Sequence, residues 1–117
     1  MTMAVTRIVP DLKSHSLAEA TAFYVDVLGL EVVMDMGWIV TLAAPGSPKL
    51  QISLMSEDAT ASVVPVASIE VDDVDAAYAL AVDRGAEIVH PLTDEPWGVR
   101  RFFVRDPDGH VVNVLEH

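Results

Sequence analysis

Apolar residues recur along this chain with two alternating periods. Val5, Ile8 and Val9 are β-formers that predict a first strand over residues 5–11, with Pro10 limiting its end to an edge-like position. From residue 17 the spacing becomes helical. Leu17, Ala20, Phe23, Tyr24 and Val27 form one stripe, Ser14 or Ser16 can cap its start, Glu19 sits in the first turn and Gly29 ends it. Residues 30–34 and 38–43 then read as a hairpin through Met36-Gly37, and Pro45-Gly46-Ser47-Pro48 as a turn. Residues 49–55 alternate cleanly, with Leu50, Ile52 and Leu54 on one face and Gln51 and Ser53 on the other. A polar, aperiodic stretch, SEDATAS at 56–62, reads as a linker.

The pattern then starts again. A strand is predicted over 66–71, and Asp72 or Asp73 caps a helix with the stripe Val74, Ala77, Leu80 and Ala81, ended by Gly85. Residues 87–89 read as a short strand and 91–98, PLTDEPWG, as a loop. Residues 99–105 and 110–115 read as a hairpin around Asp106-Pro107-Asp108-Gly109. The two halves align directly. Residues 16–33, SLAEATAFYVDVLGLEVV, and 72–89, DDVDAAYALAVDRGAEIV, share the order cap, helix, glycine, strand, with Leu17 matching Val74 at an offset of 57 and Gly29 matching Gly85 at 56. The expected fold is therefore α+β, two tandem βαβββ repeats at about 4–56 and 65–117. One repeat of about 55 residues is too small to bury a sufficient core, so both are expected to pack as a single domain over 1–117.

Composition narrows the function classes. The chain is 51% apolar, yet no run approaches the ~20 residues of a membrane span. The first twelve residues, MTMAVTRIVPDL, show neither a continuous apolar stretch nor a cleavage site, so no signal peptide is expected. Cysteine is absent, which removes disulfide and thiol chemistry and fits a cytoplasmic location. A net charge of −11 disfavours nucleic acid and anionic membranes and would attract a cationic small molecule. No serine sits in a nucleophile elbow. His15, His90, His110 and His117 lack partners at ligand spacing and read as solvated or hydrogen-bonded side chains. Asp72, Asp73 and Asp75 read as helix-start charges, while acid–base work by Glu70, Asp35 or His90 stays open.

Particular residues carry a family resemblance. Phe23-Tyr24 followed by Leu28-Gly29-Leu30, the run IEVDDVDAA at 69–77, Glu95-Pro96-Trp97-Gly98, and DPDG followed by His110-Val111-Val112-Asn113 occur in this order across essentially the whole chain. In that arrangement it resembles the vicinal oxygen chelate superfamily, which includes glyoxalase I, extradiol dioxygenases and bleomycin resistance proteins. The resemblance implies one curved, open, barrel-like mixed sheet with helices outside and a groove inside, and often a homodimer. It also implies four metal-ligand places, which fall here on Val9, Gln51, Val66 and Asn113. Two valines and two neutral amides do not make a site for Zn²⁺, Ni²⁺ or Fe²⁺, so neither metal nor cofactor is expected.

If Asn113 faces the groove, strand parity takes Val111 and Leu115 with it, and pairing across DPDG adds Arg100, Phe102 and Val104. The first repeat would contribute Gln51 and Ser53 opposite Trp38 and Val40, and the first strand of the second repeat Val66 and Ser68. The expected ligand-binding set is thus Trp38, Gln51, Ser53, Ser68, Trp97, Arg100, Phe102 and Asn113. Trp38 and Trp97, each beside a glycine, either stack on a planar or cationic ligand or cap the core. Their Gly-Trp and Trp-Gly elements resemble bleomycin resistance proteins, which hold a cationic drug without a catalytic metal. With three Phe and two Tyr, a smaller ligand is implied. The expected function is metal-independent small-molecule binding. A lyase, isomerase or dioxygenase with a non-standard or metal-free site is the alternative.

Overall fold

The structure is a computed structural model and describes residues 3–117. The first two residues of the expected 1–117 domain lie outside the described residues. Ten elements follow in order: β1 (Val5–Lys13), α1 (Leu17–Leu28), β2 (Glu31–Asp35), β3 (Ile39–Ala44), β4 (Ser47–Met55), β5 (Ala67–Val71), α2 (Val74–Asp83), β6 (Glu87–Asp94), β7 (Arg100–Arg105) and β8 (Val111–Glu116). They form two compact units, Val9–Val64 and the chain up to Ile8 with Pro65–His117.

Each unit is an open mixed sheet with one helix. In the first-repeat unit the strand order is β2-β3-β4-β1, with β1 parallel to β4 and the rest antiparallel. In the second-repeat unit β6, β7 and β8 repeat that arrangement and β5 runs parallel to β8, the start of β1 lying beside β5. This is the α+β, twice-repeated βαβββ order read from the sequence. β1 runs on to Lys13, past the predicted end at residue 11, and pairs with β4 only from Asp11. Pro10, which has no N–H to give, falls just before that ladder begins.

The helices are capped as their sequences require. Ser16 Oγ accepts from the Glu19 N–H, and Asp73 Oδ1 accepts from the Ala76 N–H at 3.0 Å. Asp72, the alternative cap, instead accepts the Ala4 N–H at 2.8 Å and ties down the start of β1. On α1, Leu17, Ala20 and Tyr24 pack against Val40, Leu42 and Leu54. Phe23 and Val27, predicted in the same stripe, are exposed. Phe23 is only one residue from Tyr24, a turn of 100° that carries it off the sheet. On α2 the packed set is Val74, Ala77, Tyr78 and Ala81 against Phe102, and Leu80 is exposed.

Two hairpins differ from expectation by one residue each, and this decides which side chains share a face. The β7–β8 pairing sets Arg105 opposite Val111 and Phe103 opposite Asn113. The loop closes through Asp106 N–H to His110 O at 2.8 Å, with three residues, Pro107-Asp108-Gly109, inside it. Gly109 takes φ 90°, the left-handed position that adds a bulge residue to a type I turn. That odd residue flips every side chain of β7 relative to a four-residue loop. Arg100, Phe102 and Val104 therefore lie on the helix side, and Arg101 and Phe103 share the face of Asn113. In the β3–β4 hairpin an irregularity at Ala43/Ala44 does the same. Thr41 is opposite Ser53 and Ala43 opposite Gln51, while Val40 faces Leu54 in the helix-side core.

β6 corrects a third expectation. Residues 91–94, predicted as loop, belong to β6, which extends from Glu87 to Asp94 as an edge strand with two register shifts that accommodate Pro91. The remaining loop is Pro96-Trp97-Gly98, closed by Glu95 N–H to Val99 O at 2.8 Å, with Gly98 at φ 94°. It is the same turn as the DPDG turn.

Candidate functional site

The second-repeat unit gathers charged and aromatic side chains on the face of β6–β7–β8 away from α2. Three residues there form a chain, two of them buried and His90 partly so. Arg101 Nε donates to Glu95 Oε2 at 2.6 Å, and His90 Nε2 lies 3.2 Å from the same oxygen. The Arg101 and Glu95 side chains are only 4% and 2% exposed. Their charges are thus removed from water and depend on each other. Aromatic rings frame the guanidinium, whose carbon is 5.0 Å from the Trp97 ring centroid and 4.7 Å from that of Phe103. His90 packs beside Phe103, ring centroids 5.2 Å apart.

Local sequence explains how these groups meet. His90 pairs with Phe103 across β6–β7, so the two share a face. The Glu95 turn aims its carboxylate back at Arg101 on the adjacent strand and places Trp97 at its tip. Next to Phe103, on β8, is Asn113, which is 8% exposed. Its Nδ2 donates to Ser68 Oγ at 3.0 Å, and its Oδ1 is buried with no hydrogen-bond partner. Buried polar atoms are nearly always paired, which sets this oxygen apart.

Two residues along β5 from Ser68, Glu70 closes one end of this face. Burial pushes its carboxyl up, but the hydrogen bond to His117 and the Arg7 guanidinium, Nε to Oε1 at 3.0 Å, outweigh it and hold the group below its ordinary range.

The expected site residues divide accordingly. Ser68, Trp97 and Asn113 belong to this unit and border the face described. Arg100 does not. It lies on the helix side, clasped by Asp75 at 2.9 Å and Asp94 at 3.2 Å, and its hydrogen bonds to both raise its pKa further. Those bonds also hold the Asp75 carboxyl below its usual range, and Asp75 is at the same time the acidic residue in the first turn of α2, as its sequence position implied. Phe102 is buried core, edge-on to Tyr78 at 5.0 Å. Trp38, Gln51 and Ser53 belong to the first-repeat unit. Ser53 Oγ meets Thr41 Oγ1 at 2.8 Å in a buried pair, and Gln51 Nε2 donates to Pro48 O at 2.8 Å. Trp38 is half-buried, its carbonyl accepting from Ser56 N–H at 3.0 Å, on the register opposite to that of Gln51 and Ser53.

Residues 8–114 match the family described as Glyoxalase/Bleomycin resistance protein/Dioxygenase superfamily. The chain belongs to this superfamily. Among solved structures, a glyoxalase/bleomycin resistance protein/dioxygenase superfamily member from Vibrio splendidus 12B01 is 24% identical, with 97% of this chain and 100% of that chain covered at a TM-score of 0.76. The Mn(II)-bound glyoxalase from Novosphingobium aromaticivorans is 24% identical over 98% of this chain and 40% of that chain, TM-score 0.73. Methylmalonyl-CoA epimerase from Mycobacterium tuberculosis is 20% identical over 96% and 88%, TM-score 0.70. At these identities the likeness is one of fold. No curated protein sequence matches the chain.

A glyoxalase-type divalent ion does not fit the superfamily's ligand places here. Val9 and Val66 have no donor atom, and the amide nitrogens of Gln51 and Asn113 are turned to Pro48 and Ser68. Two neutral oxygens are a poor donor set for a transition ion. Elsewhere among the described residues, Asp106, Asp108 and His110 bring ligand atoms within 4.8 Å of one another. The Asp106 carboxylate there accepts the Asp108 and His110 N–H groups and faces His110 Nδ1, all of which shape the turn.

Arg101, Phe103 and Glu95 escaped sequence reasoning. A signal existed in the two runs Glu-Pro-Trp-Gly and Asp-Pro-Asp-Gly, an acid, proline and glycine at identical spacing. Proline favours the second position of a type I turn and glycine the left-handed fourth, so both runs encode a three-residue loop and the register that follows from it.

Proposed function

We propose that the protein binds a small planar organic molecule without a metal, on the face carrying Asn113, Phe103, Arg101 and Trp97. The observation that carries this reading is Asn113 Oδ1, a buried acceptor without a partner beside aromatic rings. Phe103 is fully buried and Trp97 half-buried, so a ligand N–H or O–H would reach this oxygen by opening the packing over it, with an aromatic body against the Trp97 ring. The net charge of −11 favours cationic ligands on approach. Sequestration of a cationic or aromatic compound, as in resistance proteins, is the physiological role this reading suggests.

Titration of tryptophan fluorescence with 2-aminobenzimidazole, a planar cation rich in N–H donors, tests it. Saturable binding that survives chelator treatment and is lost in Asn113→Leu is expected. Binding that appears only after a divalent metal is added would overturn the proposal and favour an enzyme. One observation supports that second reading: His90 Nε2 at 3.2 Å from Glu95 Oε2 could pass a proton in metal-free acid–base chemistry. The protein is further proposed to act as a cytoplasmic homodimer, supported by the exposed apolar side chains of Val32, Val33 and Met34 on β2 and by the absence of cysteine.

A further inference from the structure

We propose that the helix side of the second-repeat unit carries a separate binding site, a groove that takes a free amphipathic monocarboxylate, its apolar body on Leu80 and Val104 and its carboxylate on Arg84. The groove has a volume of about 580 Å³ and lies between α2, β6, β7 and the turn at Asp106. Small-molecule sites span roughly 300–1,000 Å³. Its floor is apolar, made by Leu80, Ala81, Ala86, Val104 and Pro107. Leu80 is 46% exposed although it lies on the face of α2 that helical spacing assigns to the core. Val104 has the opposite parity to Phe103 on β7, so the groove is distinct from the face around Arg101 and does not depend on the function proposed there.

Charge identifies the occupant. Four of the five arginines have carboxylate partners: Arg7 with Glu70, Arg100 with Asp75 and Asp94, Arg101 with Glu95, and Arg105 with Glu87. Arg84 has none among the described residues, in a chain with 18 acidic and 7 basic side chains. It stands at the groove rim. The other charges there are already answered. Arg105 is bound to Glu87 at 3.2 Å and to the Gly109 carbonyl at 3.1 Å, and Asp106 holds His110 and the N–H groups of its own turn. Nor is Arg84 needed to satisfy the end of α2. The carbonyls of Leu80, Ala81 and Val82 accept from the backbone N–H groups of Arg84, Ala86 and Gly85. One unmatched guanidinium over an apolar floor fits one carboxylate on an apolar chain. The net charge of −11 repels an anionic membrane, with its many charges, far more than a single carboxylate.

Titration of the ¹⁵N-labelled protein with sodium decanoate, followed by amide spectra, tests the proposal. Saturable shifts are expected at Leu80, Ala81, Arg84, Ala86 and Val104, with Phe103 and Asn113 unmoved. Arg84→Gln should weaken binding about tenfold, the scale of one charge-assisted hydrogen bond, while Arg84→Lys recovers most of it. Decanol should bind about tenfold more weakly than decanoate for the same reason. Leu80→Asp, at an exposed position, should abolish the shifts and leave the rest of the spectrum intact. The proposal is overturned by an absence of shifts, by shifts confined to the Asn113 face, or by equal affinity in wild type and Arg84→Gln. It is also overturned if the groove amides move with protein concentration alone, since a second copy would then be the occupant.

Discussion

Replacing Glu95 with glutamine removes one charge from the Arg101–Glu95 pair and almost no volume. Both side chains are nearly inaccessible, and the Nε–Oε2 distance is 2.6 Å. The buried guanidinium would therefore lose its ion pair with Glu95, and breaking one member of a buried pair costs about 3–5 kcal/mol in comparable cases. Two effects reduce that. The Trp97 and Phe103 rings, at 5.0 and 4.7 Å, go on stabilising the cation, and the glutamine oxygen remains an acceptor. The expected loss is thus at the low end, about 3 kcal/mol, a large part of a typical domain's ~5–15 kcal/mol. Urea denaturation followed by circular dichroism measures it, with unchanged m as the check that only stability moved. The double variant Glu95→Leu with Arg101→Met removes both charges, and should be more stable than Glu95→Gln alone. A loss below about 1 kcal/mol for Glu95→Gln, the range of an exposed pair, would refute the burial argument. Strict additivity in a cycle of Glu95→Leu and Arg101→Met would refute the coupling.

Four further outcomes are expected. Trp97→Ala should lower stability by about 1–2 kcal/mol, since the ring is half-buried and stacks on Arg101, and it should weaken binding of 2-aminobenzimidazole in the fluorescence titration; a loss of ~4 kcal/mol would mark a core plug. Thr41→Val or Ser53→Ala alone should each cost about 1–3 kcal/mol in urea unfolding by orphaning the other hydroxyl, whereas the pair together should be close to neutral. Gly109→Ala should cost about 1–3 kcal/mol by the same assay, because φ 90° strains any residue with a Cβ. Glu70 has a depressed folded pKa, so its stabilisation is complete above the ordinary value of 4.5 and disappears as pH falls through the lowered one. The melting-temperature gap between wild type and Glu70→Gln should accordingly narrow on acidification below that value.

Much of the fold was legible in the order of residues, because the signals are local. Strand alternation in residues 49–55, the Ser16 and Asp73 caps and the doubled cap–helix–glycine pattern each depend on neighbours a few residues apart, and each reappears in the structure. Family membership followed from motifs standing in a fixed order along the chain. The candidate site was only half legible. Trp97 and Asn113 were singled out from the sequence, but Arg100 and Phe102 were expected on the face of Asn113 that the strand register gives to Arg101 and Phe103.

Tertiary structure decided that difference. Facing in a strand has a period of two, so a single left-handed glycine in the turn at 106–110 exchanges core for face along the whole of β7. The sequence offers both faces as alternating residues of similar character, Arg-Arg-Phe-Phe, and alternation alone cannot rank them. Only the closed hydrogen-bond ladder does, by pairing Phe103 with Asn113 and thereby sending Arg101 to Glu95 and Arg100 to Asp75. Local chemistry determined the elements of this protein, and long-range pairing determined which of its charges are buried.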